Sequence, residues 1–264
     1  MKKIFNSIIK FLLFNNFFYK KFLNKKINIK FNGIENFNPV TSKKKSLQQL
    51  MLINSHYFSK NEDANIPLKM HSFDWLTDFK NIGGIELLKK SRLLILDWIS
   101  CDYKLSTNVW NEIIIAKRIV NLSTNYDFYA ASADKNFQKD IINSIYYNFK
   151  HLIFIYKFHN EKLEIDLEVT KSLLLVSKYF NKHKFFYEIL NLINKQLKHQ
   201  VNNIGFHKSI NVNEHTKFIH QILEIKNILL YNNIQITKEM DMQINEMTSV
   251  LKNLFHLDLT LALF

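Results

Sequence analysis

A chain of 264 residues in which 47% of side chains are hydrophobic and 14% aromatic can bury a sizeable core, which excludes wholesale disorder. Four Gly and two Pro are too few for the turns of a β-sandwich or barrel, so the expected fold is all-α. A net charge of +13 invites nucleic acid, but Arg92 and Arg118 are the only arginines, and Lys is the weaker choice for bidentate phosphate or base contacts. The excess of Lys, Asn, Ile and Phe also follows from A/T-rich codons, so nucleic acid is disfavoured and an acidic polymer stays open.

In chain order, residues 1–26 read as a basic amphipathic helix, with Ile4, Phe5, Ile8, Ile9, Leu12 and Leu13 at helical spacing and Lys2, Lys3 and Lys10 around them. Asn15 and Asn16 split the apolar run, and no small-residue cleavage site follows, so a cleavable signal peptide is disfavoured. The segment is too short and polar to span a membrane; it suits a membrane surface, or packing on its own domain. A cytoplasmic or inner-membrane-peripheral location is therefore expected over secretion. Residues 27–70 form an irregular lead-in with one short helix near Ser46–Ile53, where Ser46 and Gln49 have capping-box residue types.

From residue 71 to 264 the pattern is helical and reads as one domain. A short element at Asp74-Trp75-Leu76 closes near Gly83-Gly84. Helices are then predicted at Ile85–Ser100, at about Asn108–Leu122 behind an N-cap at Ser106 or Thr107, and at about Asp134–Phe158. The alternation from Glu161 to Glu168 fits a strand by length, but its acidic residues suit the first turn of a helix running to Phe180. Further helices are predicted at Phe185–Lys198, Glu214–Leu230 and Thr237–Phe255. Short polar joints imply antiparallel neighbours, as in a bundle, a solenoid or an α/α-toroid. Cys101, the single cysteine, cannot form an intramolecular disulfide and reads as a packed thiol. His215 and His220, five apart, do not make a two-His metal site; His151 and His159 read as solvated; no metal and no cofactor is expected.

Between two of these helices lies Gln200-Val-Asn-Asn-Ile-Gly-Phe-His-Lys-Ser-Ile-Asn211, the one stretch that leaves helix while carrying a Gly, a His, a Ser and an Asn. Loops held by a rigid scaffold carry function disproportionately, which singles out His207 and Asn211.

Along the chain come, in turn, His71-Ser-Phe-Asp-Trp-Leu76, Gly83-Gly84, Asp97-Trp98-Ile99, Trp110, Arg118-Ile-Val-Asn121 and the loop Ile204-Gly-Phe-His-Lys-Ser-Ile-Asn211. In order and spacing they resemble the helical domain of heparinase II/III-like polysaccharide lyases of the alphaproteobacterial type, over roughly residues 40 to 264. The family's loop carries Asp, Gly and often Arg where this chain has Ile204, Phe206 and Ile210, and often Pro where it has Val212. The resemblance implies an incomplete α/α-toroid of antiparallel helical hairpins leading into a C-terminal β-sandwich, with Leu259-Thr-Leu-Ala-Leu-Phe264 similar to the approach to that domain. It implies β-elimination on acidic, uronate-containing polysaccharide. That chemistry needs the uronate carboxylate neutralised, a base to take the C5 proton, and an acid for the leaving oxygen. The β-domain would supply part of this set, so the chain is expected to be incomplete as a catalyst without it.

On this resemblance His207 and Asn211 are the expected catalytic residues, with Trp75, Arg118, Tyr126 and Lys208 expected to bind substrate. Each has a plainer reading. Asn211 could cap the next helix. His207 could be an exposed loop histidine. Trp98 and Trp110 fall on apolar faces and read as core, which leaves Trp75 as the sugar platform. Arg118 reads foremost as half of a structural ion pair with Asp97 or Asp74, and Tyr126 as a loop aromatic. The rival from another class is a non-catalytic helical scaffold or membrane-surface protein.

Overall fold

The computed structural model describes residues 56–60, 65–101 and 108–254. The expected N-terminal helix 1–26, most of the lead-in, the helix near Ser46–Ile53, the cap candidates Ser106 and Thr107, and Leu259–Phe264 lie outside the described residues.

What is described is all-α, with one isolated β-bridge, Val201 to His207. The chain divides into two compact units, one running through His159 and one from Asn160. The first contains α1 (Tyr57–Lys60), α2 (Leu68–His71), α3 (Trp75–Ile82), α4 (Ile85–Ser100), α5 (Glu112–Thr124), α6 (Tyr126–Tyr129) and α7 (Lys135–Phe158). The second contains a 3-10 turn (Lys162–Glu164), α8 (Leu167–Ser177), α9 (His183–Gln200), α10 (Val212–Tyr231) and α11 (Lys238–Asn253).

The boundaries follow from capping chemistry. Asp134 turns its carboxylate onto the N–H groups of Asn136 and Phe137, and these bonds to the charged form hold its pKa below the ordinary carboxylate value. From there Phe137, Ile141, Ile145, Phe149 and Leu152 recur every three or four residues and are all buried, so α7 lays one stripe on α5. The N-cap of α5 is Asn111, whose side chain accepts from the Ile113 N–H, so the helix starts later than the expected Asn108. At the other end of α3 the chain needs positive φ at Gly83 (72°) and Gly84 (92°), which breaks the helix before α4.

In the second unit Asp166 caps α8 through the Glu168 N–H. Helix α8 therefore begins at Leu167, after a 3-10 turn, and Glu161–Glu168 is not a strand. Nearly all of α8 is buried against α9 and α10, so its apolar residues run around the whole helix and show no single stripe. Lys171 is buried there as well. Burial lowers its pKa, but the carboxylates of Glu168 and Glu224 outweigh this and leave it raised. Among the described residues no helix is long and apolar enough to cross a membrane, and no group of His, Cys, Asp and Glu could hold a metal ion.

Candidate functional site

In the first unit the motif residues converge on a buried polar knot. Arg118 is 0% exposed. Its Nε donates to the His71 carbonyl at 2.7 Å, one Nη to the Asn148 side-chain oxygen at 2.8 Å, and the other Nη to the Val109 carbonyl at 2.7 Å. Its guanidinium carbon lies 4.3 Å from the Trp98 ring centroid and 5.3 Å from that of Trp110, so two aromatic faces add to its solvation. The expected ion pair is not what holds it. Asp97 instead accepts from the Phe58 and Ser59 N–H groups, and Asp74 accepts from Asn121. Asn121 also donates to the Ser72 carbonyl, and Trp98 Nε1 donates to His71 Nδ1 at 3.2 Å. Burial first, and the Arg118 charge second, lower the His71 pKa to about 4.

This placement corrects four expectations. Trp75 is 2% exposed, with Nε1 aimed at the Met70 carbonyl and its ring packed edge-on against Phe73 and Phe79. It is core and offers no face to a sugar. Tyr126 is 3% exposed and packs on Tyr129. Arg118 is fully buried. His151, expected in solvent, is buried edge-on to Trp110.

In the second unit the loop after α9 is a compact turn. Asn202 accepts through its side chain from the Ile204 and Phe206 N–H groups, and its own N–H donates to the Phe206 carbonyl. Gly205 sits at φ +77°, and an added Cβ would lie 3.0 Å from the Glu246 carbonyl carbon of α11. Gly205→Ala thus meets both a strained backbone and a contact that α11 cannot yield, and is expected to cost about 1–3 kcal/mol in urea unfolding. Phe206, which replaces a glycine of the resembled loop, stacks flat on buried His215 with centroids 4.4 Å apart and planes at 8°.

Asn211 is the N-cap of α10. Its side-chain oxygen accepts from the N–H groups of Asn213 at 2.9 Å and Glu214 at 3.1 Å, which is the plainer of its two readings. Asn211→Ala is expected to lose about 1 kcal/mol in chemical unfolding, and Asn211→Asp to lose almost nothing, because aspartate caps equally well.

His207 lines a cleft of about 190 Å³. Its Nδ1 accepts the Ser209 backbone N–H at 3.3 Å and lies 2.8 Å from the Ser209 hydroxyl. Because a backbone N–H can only donate, Nδ1 must carry the lone pair, and Nε2 carries the proton in neutral His207. Its pKa lies below 6.5, chiefly because burial outweighs the opposing Glu214 charge, with His215, Lys208 and Lys217 adding to the lowering. At neutral pH His207 is thus a neutral hydrogen-bond donor at Nε2.

The other cleft walls come from three places. Glu164, Asp166 and Leu167 lie around the start of α8; Gln196 and Gln200 lie one turn apart on α9; Glu214, Lys217, Phe218 and Gln221 share one face of α10. The carboxylates are largely spoken for. Asp166 caps α8, Glu214 faces Lys217 at 3.9 Å, and Glu164 faces Lys208 at 3.5 Å. Lys208 also lies 3.2 Å from His199 Nδ1. So of the six expected site residues, His207, Lys208 and Asn211 share one loop, only His207 lines the cleft, and Trp75, Arg118 and Tyr126 are buried in the other unit. The wall residues are absent from the sequence expectation, although 214, 217, 218 and 221 stand at helical one-face spacing directly after the loop. Comparison with family models, with curated proteins and with solved structures returns no match for this chain.

Proposed function

We propose that this chain is the helical, polysaccharide-engaging part of a heparinase II/III-like lyase, an incomplete α/α-toroid whose saccharide site is the cleft beside residues 201–211. The observation that carries the reading is His207 on the cleft lining with its Nδ1 turned to the Ser209 N–H. With Nδ1 facing Ser209, neutral His207 keeps its proton at Nε2 and lines the cleft as a hydrogen-bond donor of the kind a uronate carboxylate needs, with Lys217, which also faces Glu214, on the same lining. Paired helices, α5 on α7, α8 on α9 and α10 on α11, are the repeating unit such a toroid needs.

Elimination asks for more than a donor. A base must take the C5 proton, and His207 in this tautomer has no lone pair at Nε2 to do so. The resemblance assigns part of the proton-transfer set to a β-sandwich domain. Binding, and not complete catalysis, is therefore what the cleft residues support. For the first unit, with Trp75, Arg118 and Tyr126 buried, the scaffold reading is the better one.

Calorimetric titration with uronate oligosaccharides and with neutral ones of equal length tests the proposal. Preference for the uronate, lost about tenfold or more in His207→Ala, is the expected result. An ultraviolet assay for the unsaturated product is expected to stay silent for this chain. Equal affinity for both sugars, or an unchanged His207→Ala, would sink the reading.

A further inference from the structure

His215 is a buried histidine directly behind the cleft loop. Its two ring nitrogens face groups whose hydrogen-bonding sense cannot change. Nδ1 accepts the His207 backbone N–H at 3.1 Å, and Nε2 lies 3.2 Å from the Met247 carbonyl on α11. Only the neutral imidazole with its proton on Nε2 satisfies both partners. Its ring face is covered by Phe206, the residue just before His207. One side chain on α10 therefore ties the loop, α10 and α11 together at the residue that lines the cleft.

We propose that His215 is the positioning residue for His207, and that it holds the loop against the cleft only while its imidazole is neutral. The proposal rests on the reading of His207 as the saccharide-facing group. Protonation of His215 would put a second N–H against the His207 N–H, removing the bond and leaving two donors opposed inside a buried contact. The loop would then retain its contact at Gly205 and its backbone bridge to the end of α9, but lose the bond that ties the His207 N–H to α10.

The charged groups that act on His207 or abut the loop are Lys208 in the loop, Glu214 and Lys217 on α10, and Glu246 on α11; farther along, α10 carries His220, Glu224 and Lys226, and α11 carries Lys238, Glu239, Asp241 and Lys252. Lys198 of α9 is paired with Glu239 of α11. Burial lowers the His215 pKa from 6.5, opposed by the Met247 carbonyl, so the neutral form prevails at neutral pH. A neutral latch is thus the resting state, and acid releases it.

Amide exchange of the full chain, followed by NMR from about pH 8 to about pH 5, reads the latch without any ligand. In the wild type the His207 amide is expected to be protected at the upper end and to lose protection below the ordinary imidazole pKa. His215→Asn, whose side-chain oxygen can take the place of Nδ1, is expected to keep that amide protected throughout. His215→Phe, which retains the stack on Phe206, is expected to leave it unprotected throughout and to weaken uronate-oligosaccharide binding about tenfold. Since His207 titrates in all three proteins, only a response that vanishes in both variants belongs to His215. Equal protection at every pH in the wild type, or full protection in His215→Phe, would overturn the proposal. If the amide behaves as expected and no oligosaccharide binds the wild type, the latch stands and the saccharide reading falls.

Discussion

Arg118→Leu is expected to lower stability by about 3–5 kcal/mol, more than the loop and cap substitutions at Gly205 and Asn211. The guanidinium is fully buried, and its removal strands the carbonyls of His71 and Val109 and the side-chain oxygen of Asn148 together. Leucine also leaves Trp98 and Trp110 facing a partial void. Arg118→Lys keeps the charge but supplies one nitrogen where three donate, and is expected to recover less than half of the loss. The measurement is the urea midpoint of each variant at neutral pH. An Arg118→Lys protein as stable as the wild type would show that charge, and not the forked geometry, holds the knot.

Acid is expected to weaken the same knot through His71. In the folded chain its pKa is about 4, below the 6.5 of an unfolded histidine. Above pH 6.5 neither state binds a proton there, and the stability contribution is complete. As the pH falls from 6.5 towards 4, only the unfolded chain takes the proton, so stability is lost across that window, by on the order of 2–3 kcal/mol. His207 and His215, also lowered, act in the same direction. His71→Asn can still accept the Trp98 Nε1–H but does not titrate, so the difference between wild type and variant isolates His71 from the carboxylates. Unfolding midpoints at about pH 7 and about pH 4.5 are expected to separate less in the variant, with Trp fluorescence as the probe. Identical separation in both would mean that His71 does not carry the acid response.

Most of the longer helices are legible in the sequence because they carry a periodic apolar stripe, and several also have a local side-chain cap. Ile85–Ser100 falls at its expected bounds, and Asp134 and Thr237 sit just outside the helices they cap. The start of α5 is not legible, because three cap-type residues, Ser106, Thr107 and Asn111, compete within a short stretch, and propensity alone does not rank them. The strand-like alternation before α8 reflects a 3-10 turn followed by a helix buried on nearly all sides, where one-face periodicity disappears.

The candidate site is less legible, for a physical reason. Trp, Arg, His and Asn at well-defined spacings mark any demanding environment, and a buried arginine between two tryptophans is one. The spacing of His71, Trp98, Arg118 and Asn121 marks them as special but not why, since their partners are backbone carbonyls and rings that spacing does not reveal. In the loop, Phe206 reads as a departure from the resembled pattern. Its compensation, the stack on His215, lies nine positions on and shows only in three dimensions. Asn211 has two readings that the sequence does not separate, and its two backbone bonds decide for the cap.

A saccharide site at His207 and its cleft is tested most directly by chemical-shift mapping on the isotopically labelled chain titrated with a uronate oligosaccharide. Saturable shifts are expected at residues 164–167, at Gln196 and Gln200, and at 207–221, and not elsewhere. The His207 ring should be among the largest movers, and His207→Ala should show no shifts. Shifts scattered over exposed lysines, or an unmoved His207 ring at saturation, would contradict a saccharide site there.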